Sequence, residues 1–374
     1  MVFGQFFYNL NNNEQNMLKN VLIILILLIG VVSCEEKKQK KINEKIKGER
    51  IKGDFIGDRL FFTEDSLFLF SKLEKTDVRL IENFRFSNNA LKERKTLIFK
   101  GEGENDLYAP FLTSNSGDTL CLYDFTKNKG IKTNKKDIFN KEKWQKYTMS
   151  LGEDIVKPSM YKNSCILLNS NEMLLIGGHA ENENILSIYN VENQKYTSLD
   201  FWIEDDIPAE IITKQLVYSS NSTIYKHPLE NIFIYACGFG RYVEIFTINN
   251  NKISKRNCFL SEKPLYYPVG LDFKIEKTEI DKPNGVKFVV PTHKYIYVMF
   301  NSAMFNKNWE YINYKGYSFS HNDIFQVFDW EGNHIKDIEL ELPCYNLSWD
   351  AKNSILYTLT EGEDSDILMK YSLE

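Results

Sequence analysis

The chain has 374 residues, 43% hydrophobic and 26% charged, with 26 Phe and 21 Tyr against 9 Pro; this composition builds a large core and excludes a disordered or collagen-like chain. The first 33 residues are neutral, with one Lys and one Glu, and residues 35–52 carry seven Lys and one Arg against four Glu, net +4. Since the whole chain is −5, residues 53–374 carry −9, which argues against nucleic acid, whose binding demands basic patches that displace counterions.

Residues 1–33 read as an export leader. The first 16 residues lack Lys and Arg, whereas Met17-Leu18-Lys19 places a cation directly before the apolar run Val21–Val32, which makes Met17 an alternative start. Twelve apolar residues suit a signal-peptide core and fall short of the roughly 20 that span a membrane. The run ends in Val31-Val32-Ser33-Cys34, which resembles the lipobox of bacterial lipoproteins. The resemblance implies cleavage after Ser33 and acylation of Cys34, with palmitate-like chains holding the protein on a membrane at about 0.8 kcal/mol per buried CH₂. Residues 34–52 are then the acylated cysteine and a basic, solvated tether, without an aromatic side chain.

From residue 53 to 374 the pattern predicts one all-β domain. Short apolar or alternating runs recur, among them Ser66–Ser71, Thr119–Phe125, Met173–Ile176, Ile185–Val191, Ile232–Cys237, Tyr242–Ile248, Lys294–Phe300, Ile324–Trp330, Ile355–Leu359 and Ile367–Leu373. Turn residues divide them, as in Asn249-Asn250-Asn251 and Glu331-Gly332-Asn333. Asp65-Ser66-Leu67-Phe68 is echoed by Asp118-Thr119-Leu120-Cys121, and looser relatives follow at irregular intervals. Six units of about 54 residues fit a β-propeller of four-stranded blades, whose period is about 50 in kelch-type repeats. The last unit, ending at Leu373, is one strand short, and a strand within residues 50–62 is expected to complete it and close the ring.

The glycine-acid stretch Lys100-Gly101-Glu102-Gly103-Glu104 with Tyr108-Ala109-Pro110, and the later runs Lys294-Tyr295-Ile296-Tyr297-Val298 and Phe325-Gln326-Val327-Phe328-Asp329-Trp330-Glu331-Gly332-Asn333, resemble TolB-like six-bladed β-propeller lipoproteins. That resemblance implies the fold and an envelope address, on the periplasmic or surface face of the outer membrane, and no reaction.

Five cysteines besides Cys34 form no CxxC pair and read as small buried hydrophobes. No Walker loop, HExxH or GxSxG is present, and Gly238-Phe239-Gly240-Arg241 reads as a tight turn between strands. His179, Arg241 and His293 stand beside turns and are the candidates for a polar funnel site. Trp309 is the candidate exposed aromatic. No metal site is assigned, and no cofactor is expected; the acidic turns Glu204-Asp205-Asp206 and Glu361–Asp366 offer oxygens for Ca²⁺ without the EF-hand order and read as exposed turns. The function that follows is a non-catalytic binding or scaffold propeller at the envelope, for a peptide, glycan or protein partner; the alternative is a glycan lyase or hydrolase with its site in the funnel.

Overall fold

A computed structural model describes residues 43–373 apart from 56, 58, 64–65, 71–78, 109, 117–118, 125, 149–164, 178–183, 277–284, 302–315 and 318–320. Strands β1 (Asn43–Ile46) and β2 (Glu49–Phe55) precede a first four-stranded meander, β3 (Arg59–Thr63), β4 (Ser66–Phe70), β5 (Arg79–Ser87) and β6 (Ala90–Phe99). A second follows, β7 (Pro110–Ser116), β8 (Thr119–Asp124), β9 (Lys129–Asn134) and β10 (Gln145–Tyr147); a third is β11 (Cys165–Leu167), β12 (Glu172–Ile176), β13 (Leu186–Asn190) and β14 (Lys195–Ser198). Helix α1 (Ile211–Ser219) leads into the fourth, β15 (Thr223–Lys226), β16 (Ile232–Ala236), β17 (Arg241–Asn249) and β18 (Lys252–Glu262). A separate hairpin, β19 (Tyr266–Val269) and β20 (Asp272–Ile275), precedes the fifth, β21 (Val286–Pro291), β22 (Ile296–Phe300), β23 (Asn322–Phe328) and β24 (His334–Cys344). The sixth is β25 (Asn346–Asp350), β26 (Ile355–Thr360) and β27 (Asp366–Ser372), completed by β2, which pairs antiparallel with β27.

The chain is thus an all-β propeller, as its patterning predicts. Among the described residues the hydrogen-bonded sheets of four or more strands number five rather than six. The difference has one cause: the first and sixth units merge into an eight-stranded sheet through a single parallel pairing, Lys52 with Ala90. The fifth unit also gains a strand, because β1 pairs parallel with β24 from Asn43 opposite Asp337 to Ile46 opposite Leu340.

Alternation explains the aromatic and aliphatic load. On β8, Leu120 and Leu122 pack with Phe61, Ile81 and Leu97 of the first unit, whereas Cys121 and Tyr123 pack with Cys165, Met173 and Tyr189 of the third. Both faces of a blade are buried, so a period-2 strand needs apolar residues at every position. The same double-sided packing recurs at the remaining junctions around the ring. Cys121, Cys165, Cys237 and Cys344 are buried and form no disulfide among the described residues, and burial pushes the Cys121 thiol up to about 12; Cys258 alone of the five is exposed.

The first strand of each unit lies innermost, β25 beside β3, β7 beside β11, β11 beside β15 and β15 beside β21. At the upper end each first strand begins and each second strand turns into the third. At the lower end lie the turns that join first to second and third to fourth strands.

Candidate functional site

At the upper end of the fourth unit, Cys237-Gly238-Phe239-Gly240 carries the chain from β16 into β17. A side chain at Gly238 would meet the backbone of Asn221 at 2.4 Å, and one at Gly285 would come within 1.8 Å of the Gly238 carbonyl. Three chain segments converge there, held by Gly238 N–H donating to Ser222 Oγ at 3.1 Å and Val286 N–H donating to the Cys237 carbonyl at 2.9 Å. The glycines serve a tight turn, as their sequence context implies.

Arg241 opens β17 beside that turn. Its guanidinium lies 4.4 Å from the ring centroid of Phe300 in the fifth unit, and its nearest carboxylate, Glu262, is 3.7 Å away. Its Nε is buried without an acceptor. Next to it rises the β19–β20 hairpin, rooted by Tyr266, whose hydroxyl donates to Asp205 Oδ2 at 2.9 Å, and by Phe273, whose ring lies 5.6 Å from that of Phe239. Beyond this root the hairpin exposes Leu265, Tyr267, Val269 and Leu271, between 46% and 63% accessible. Buried Tyr266 alternates with exposed Leu265 and Tyr267, so one face packs on the domain and the other is open, with Lys274 opposite Tyr267 and Asp272 opposite Val269.

Asp205 departs from the exposed acidic turn that its sequence implies. Its carboxylate is buried and accepts from Lys214 Nζ at 2.8 Å and from the hydroxyls of Tyr218 and Tyr266 at 3.0 and 2.9 Å. Burial alone would raise its pKa, but these donors hold it below the ordinary carboxylate value. Its oxygens are committed to the protein, and among the described residues no cluster suits a metal ion.

Lys287 lies on inner strand β21, at a bulge between Val286 and Phe288. Its ammonium donates to the Cys344 carbonyl at 3.0 Å, and burial lowers its pKa to about 8. Nearby at the upper end, buried His321 accepts the Glu361 N–H at 3.3 Å and its ring packs 5.2 Å from Tyr345. Tyr345 donates to the Gly57 carbonyl at 2.6 Å, and Gly57 N–H donates to Asp366 Oδ2 at 3.0 Å. These polar groups clasp the ends of the ring together.

His293 lies elsewhere. It is exposed in the lower turn between β21 and β22, where its ring is 6.3 Å from that of His227. His227 accepts the N–H groups of Leu229 and Glu230 at Nδ1, at 3.1 and 2.9 Å. Trp330 packs 4.5 Å from His227 and donates to the Thr292 carbonyl at 3.1 Å. This is a turn-stabilising cluster.

Arg241 and His293 therefore occupy opposite ends of the propeller: β21 begins beside the Arg241 turn and ends at the His293 turn. They do not meet in one funnel. Ser33, Cys34, His179 and Trp309 lie outside the described residues. Sequence reasoning missed the apolar hairpin, although Leu265-Tyr266-Tyr267-Pro268-Val269-Gly270-Leu271 is a dense apolar run around a turn glycine. It also missed Lys287, whose neighbours Val286 and Phe288 disguise it as an ordinary strand position.

No protein-family model matches the chain, and no curated protein matches it in sequence. Among solved structures it is similar to a DUF4221 family member from Bacteroides vulgatus, with TM-score 0.53 at 10% identity, covering 89% of this chain and 97% of that one. It is also similar to U3-55K, with TM-score 0.43 at 10% identity over 87% and 98% of the two chains. A third similarity is to the Cps50 (Swd1) β-propeller domain of Myceliophteria thermophila, with TM-score 0.42 at 10% identity over 87% and 98%. At these identities the first likeness supports the fold, which the sheet topology establishes independently: the chain is a β-propeller protein.

Proposed function

We propose that this is an envelope lipoprotein of the TolB-like propeller kind, anchored through Cys34, whose propeller binds a protein partner without catalysing a reaction. The observation that carries the reading is the group of exposed apolar side chains on the β19–β20 hairpin, Leu265, Tyr267, Val269 and Leu271, interleaved with Lys274 and Asp272 and close to the cationic Arg241. Exposed aromatic and aliphatic side chains clustered beside an arginine are the composition of a protein-binding hot spot. Among the described residues, Asp205 is engaged by three donors and the His321–Tyr345–Asp366 region by ring closure. Arg241 and His293 stand too far apart, at opposite ends, to share one substrate bond.

The test places a photo-reactive amino acid at Tyr267 and, separately, at Leu229 on the lower end, in cells producing the full chain. A discrete crosslinked protein adduct from position 267 and none from 229 is expected; equal adducts at both, or none at 267, defeats the reading. Cys34→Ser is expected to move the protein from the membrane fraction to the soluble fraction, and retention in the membrane defeats the anchor.

A further inference from the structure

A cavity of about 270 Å³ opens where the amino-terminal strap crosses the fifth and sixth units. It is lined by Glu44, Lys45, Ile46 and Lys47 of the strap, Tyr297, Lys336 and Ile338 of the fifth unit, and Ser372 and Leu373 of the sixth. Three lysines and one glutamate line it, and Glu44 is already paired with Lys336 at 2.6 Å; outside the lining, Lys45 lies in register with Glu339, and Glu341 accepts the Gly48 N–H at 3.0 Å. Lys45 and Lys47 are exposed, and no ion pair joins either to a carboxylate among the described residues. The positive ground continues across the lower end. Tyr297 adjoins Tyr295, under the ammonium of exposed Lys294, and Leu373 N–H donates to the Ser354 carbonyl in the turn that also exposes Lys352. Lys45 and Lys47 belong to residues 35–52, net +4, and Lys336 to residues 53–374, net −9, so the basic residues gather where the strap meets the domain.

We propose that this lysine-rimmed cavity docks on the anionic phospholipid headgroups of the membrane that holds the anchor, so that the lower end of the propeller faces the bilayer. The inference rests on the anchor reading above. Two observations support it. The tether is short, since Cys34 precedes Asn43 by nine residues, which reach at most about 30 Å when extended and typically about 17 Å. The strap also meets the domain near the lower end, because Asn43 pairs with Asp337, three residues into β24 from the lower turn. An acyl chain at Cys34 therefore brings Lys45, Lys47 and Lys336 to the lipid surface first. Lysine ammonium groups near anionic headgroups each contribute about fivefold to partition, and the apolar walls, Ile46, Tyr297, Ile338 and Leu373, suit the glycerol backbone below a phosphate. The hairpin with Tyr267 is then directed away from the membrane, where a partner can reach it.

The experiment uses the acylated full chain in vesicles, in a Cys258→Ser background, with a bimane label at Lys352→Cys or at Leu271→Cys, and with nitroxide-headgroup lipid as quencher. In phosphatidylcholine vesicles containing about a third phosphatidylglycerol, quenching at position 352 is expected to exceed that at 271 several-fold. The excess should fall severalfold in pure phosphatidylcholine and in Lys45→Gln/Lys47→Gln/Lys336→Gln, to what the tether alone gives, and should persist in added inorganic phosphate. Equal quenching at the two positions, or an excess that the triple variant retains undiminished, overturns the proposal. Loss of the excess to inorganic phosphate assigns the cavity to free phosphate and overturns the lipid assignment. Failure of the anchor reading would look different, as equal vesicle recovery of the Cys34→Ser chain.

Discussion

Glu244 grips Arg256 across β17 and β18 with both carboxylate oxygens, Nη2 donating to Oε2 at 2.9 Å and Nε donating to Oε1. The guanidinium lies 4.5 Å from the ring centroid of Phe201, and Glu244 also accepts from the Tyr242 hydroxyl at 2.6 Å. Three units away Glu82 holds Arg94 in the same way, at 2.8 and 2.5 Å, with the Arg94 guanidinium 5.5 Å from Phe84. In both units the arginine stands opposite the phenylalanine two residues beyond the glutamate. An internal repeat thus survives as an ion pair where the sequence around it has diverged.

Removing one member of this pair strands the other. Arg256→Ala leaves Glu244, which is 2% exposed, without its cation, and a loss of about 3 kcal/mol is expected. Glu244→Leu combined with Arg256→Met replaces both by apolar atoms and is expected to cost about 1 kcal/mol or less. Urea midpoints of the single and double variants check this; a double variant as unstable as Arg256→Ala contradicts it.

Lys287 predicts a pH dependence of unusual sign. Burial lowers its folded pKa to about 8, below the unfolded value of about 10.4. Between these values the unfolded chain holds more protons at this position, so the Lys287 contribution to stability rises with pH, from about 8 towards 10. Below 8 both states are protonated and the desolvation cost is present in full. Lys287→Met is therefore expected to stabilise the domain at pH 7 by on the order of 2 kcal/mol and to flatten this rise. Thermal unfolding of both proteins at pH 7 and 9.5 decides; a variant less stable at pH 7 would show that the ammonium is held by more than it costs.

Most strands were legible in the sequence because burial on both faces leaves apolar residues at every position, as in Ile232–Ala236 and Ile296–Phe300. The turn nature of Gly238–Gly240 was legible for the same reason that glycine is needed there. The relation between Arg241 and His293 was not. Both follow turns, but Arg241 follows the turn from a second strand into a third, and His293 the turn from a first strand into a second. Strands alternate in direction, so only the parity of the preceding strand separates the two ends, and parity requires knowing where each unit begins. Asp205 was misplaced because its partners, Lys214, Tyr218 and Tyr266, come from a helix and a hairpin that the strand-like patterning concealed. The merger of first and sixth units depends on one backbone pairing, which carries no side-chain signature.

Asp205 holds the hairpin to α1. Asp205→Ala removes the acceptor of Lys214, Tyr218 and Tyr266 together, and amide exchange across Tyr266–Ile275 is expected to accelerate at least about tenfold, while the β16–β17 amides change little. The wild-type carboxylate has its folded pKa below the ordinary value of 3.8. Its contribution to stability is therefore complete above that ordinary value and is lost as pH falls through the depressed folded value. Exchange that stays slow in the variant would place the hairpin's hold in Phe239 and Phe273 instead.

The ring closes through β2, and the cost of opening it is testable at Phe55. Its side chain is 1% exposed and packs with Phe84, at 5.4 Å between centroids, and with Leu359 and Leu368 of the sixth unit. It lies beside Gly57, which exchanges hydrogen bonds with Tyr345 and Asp366. Phe55→Ala therefore leaves a cavity where the first and last units meet, and about 3–5 kcal/mol should be lost. Leu271→Ser on the exposed hairpin should change stability by less than about 0.5 kcal/mol. Because the first and sixth units share one sheet, the Phe55 variant should also expose the β27 edge before global unfolding, seen as faster amide exchange at Leu368–Tyr371 than at Phe233–Ala236. Uniform acceleration across both strands would mean that the ring opens only by unfolding as a whole.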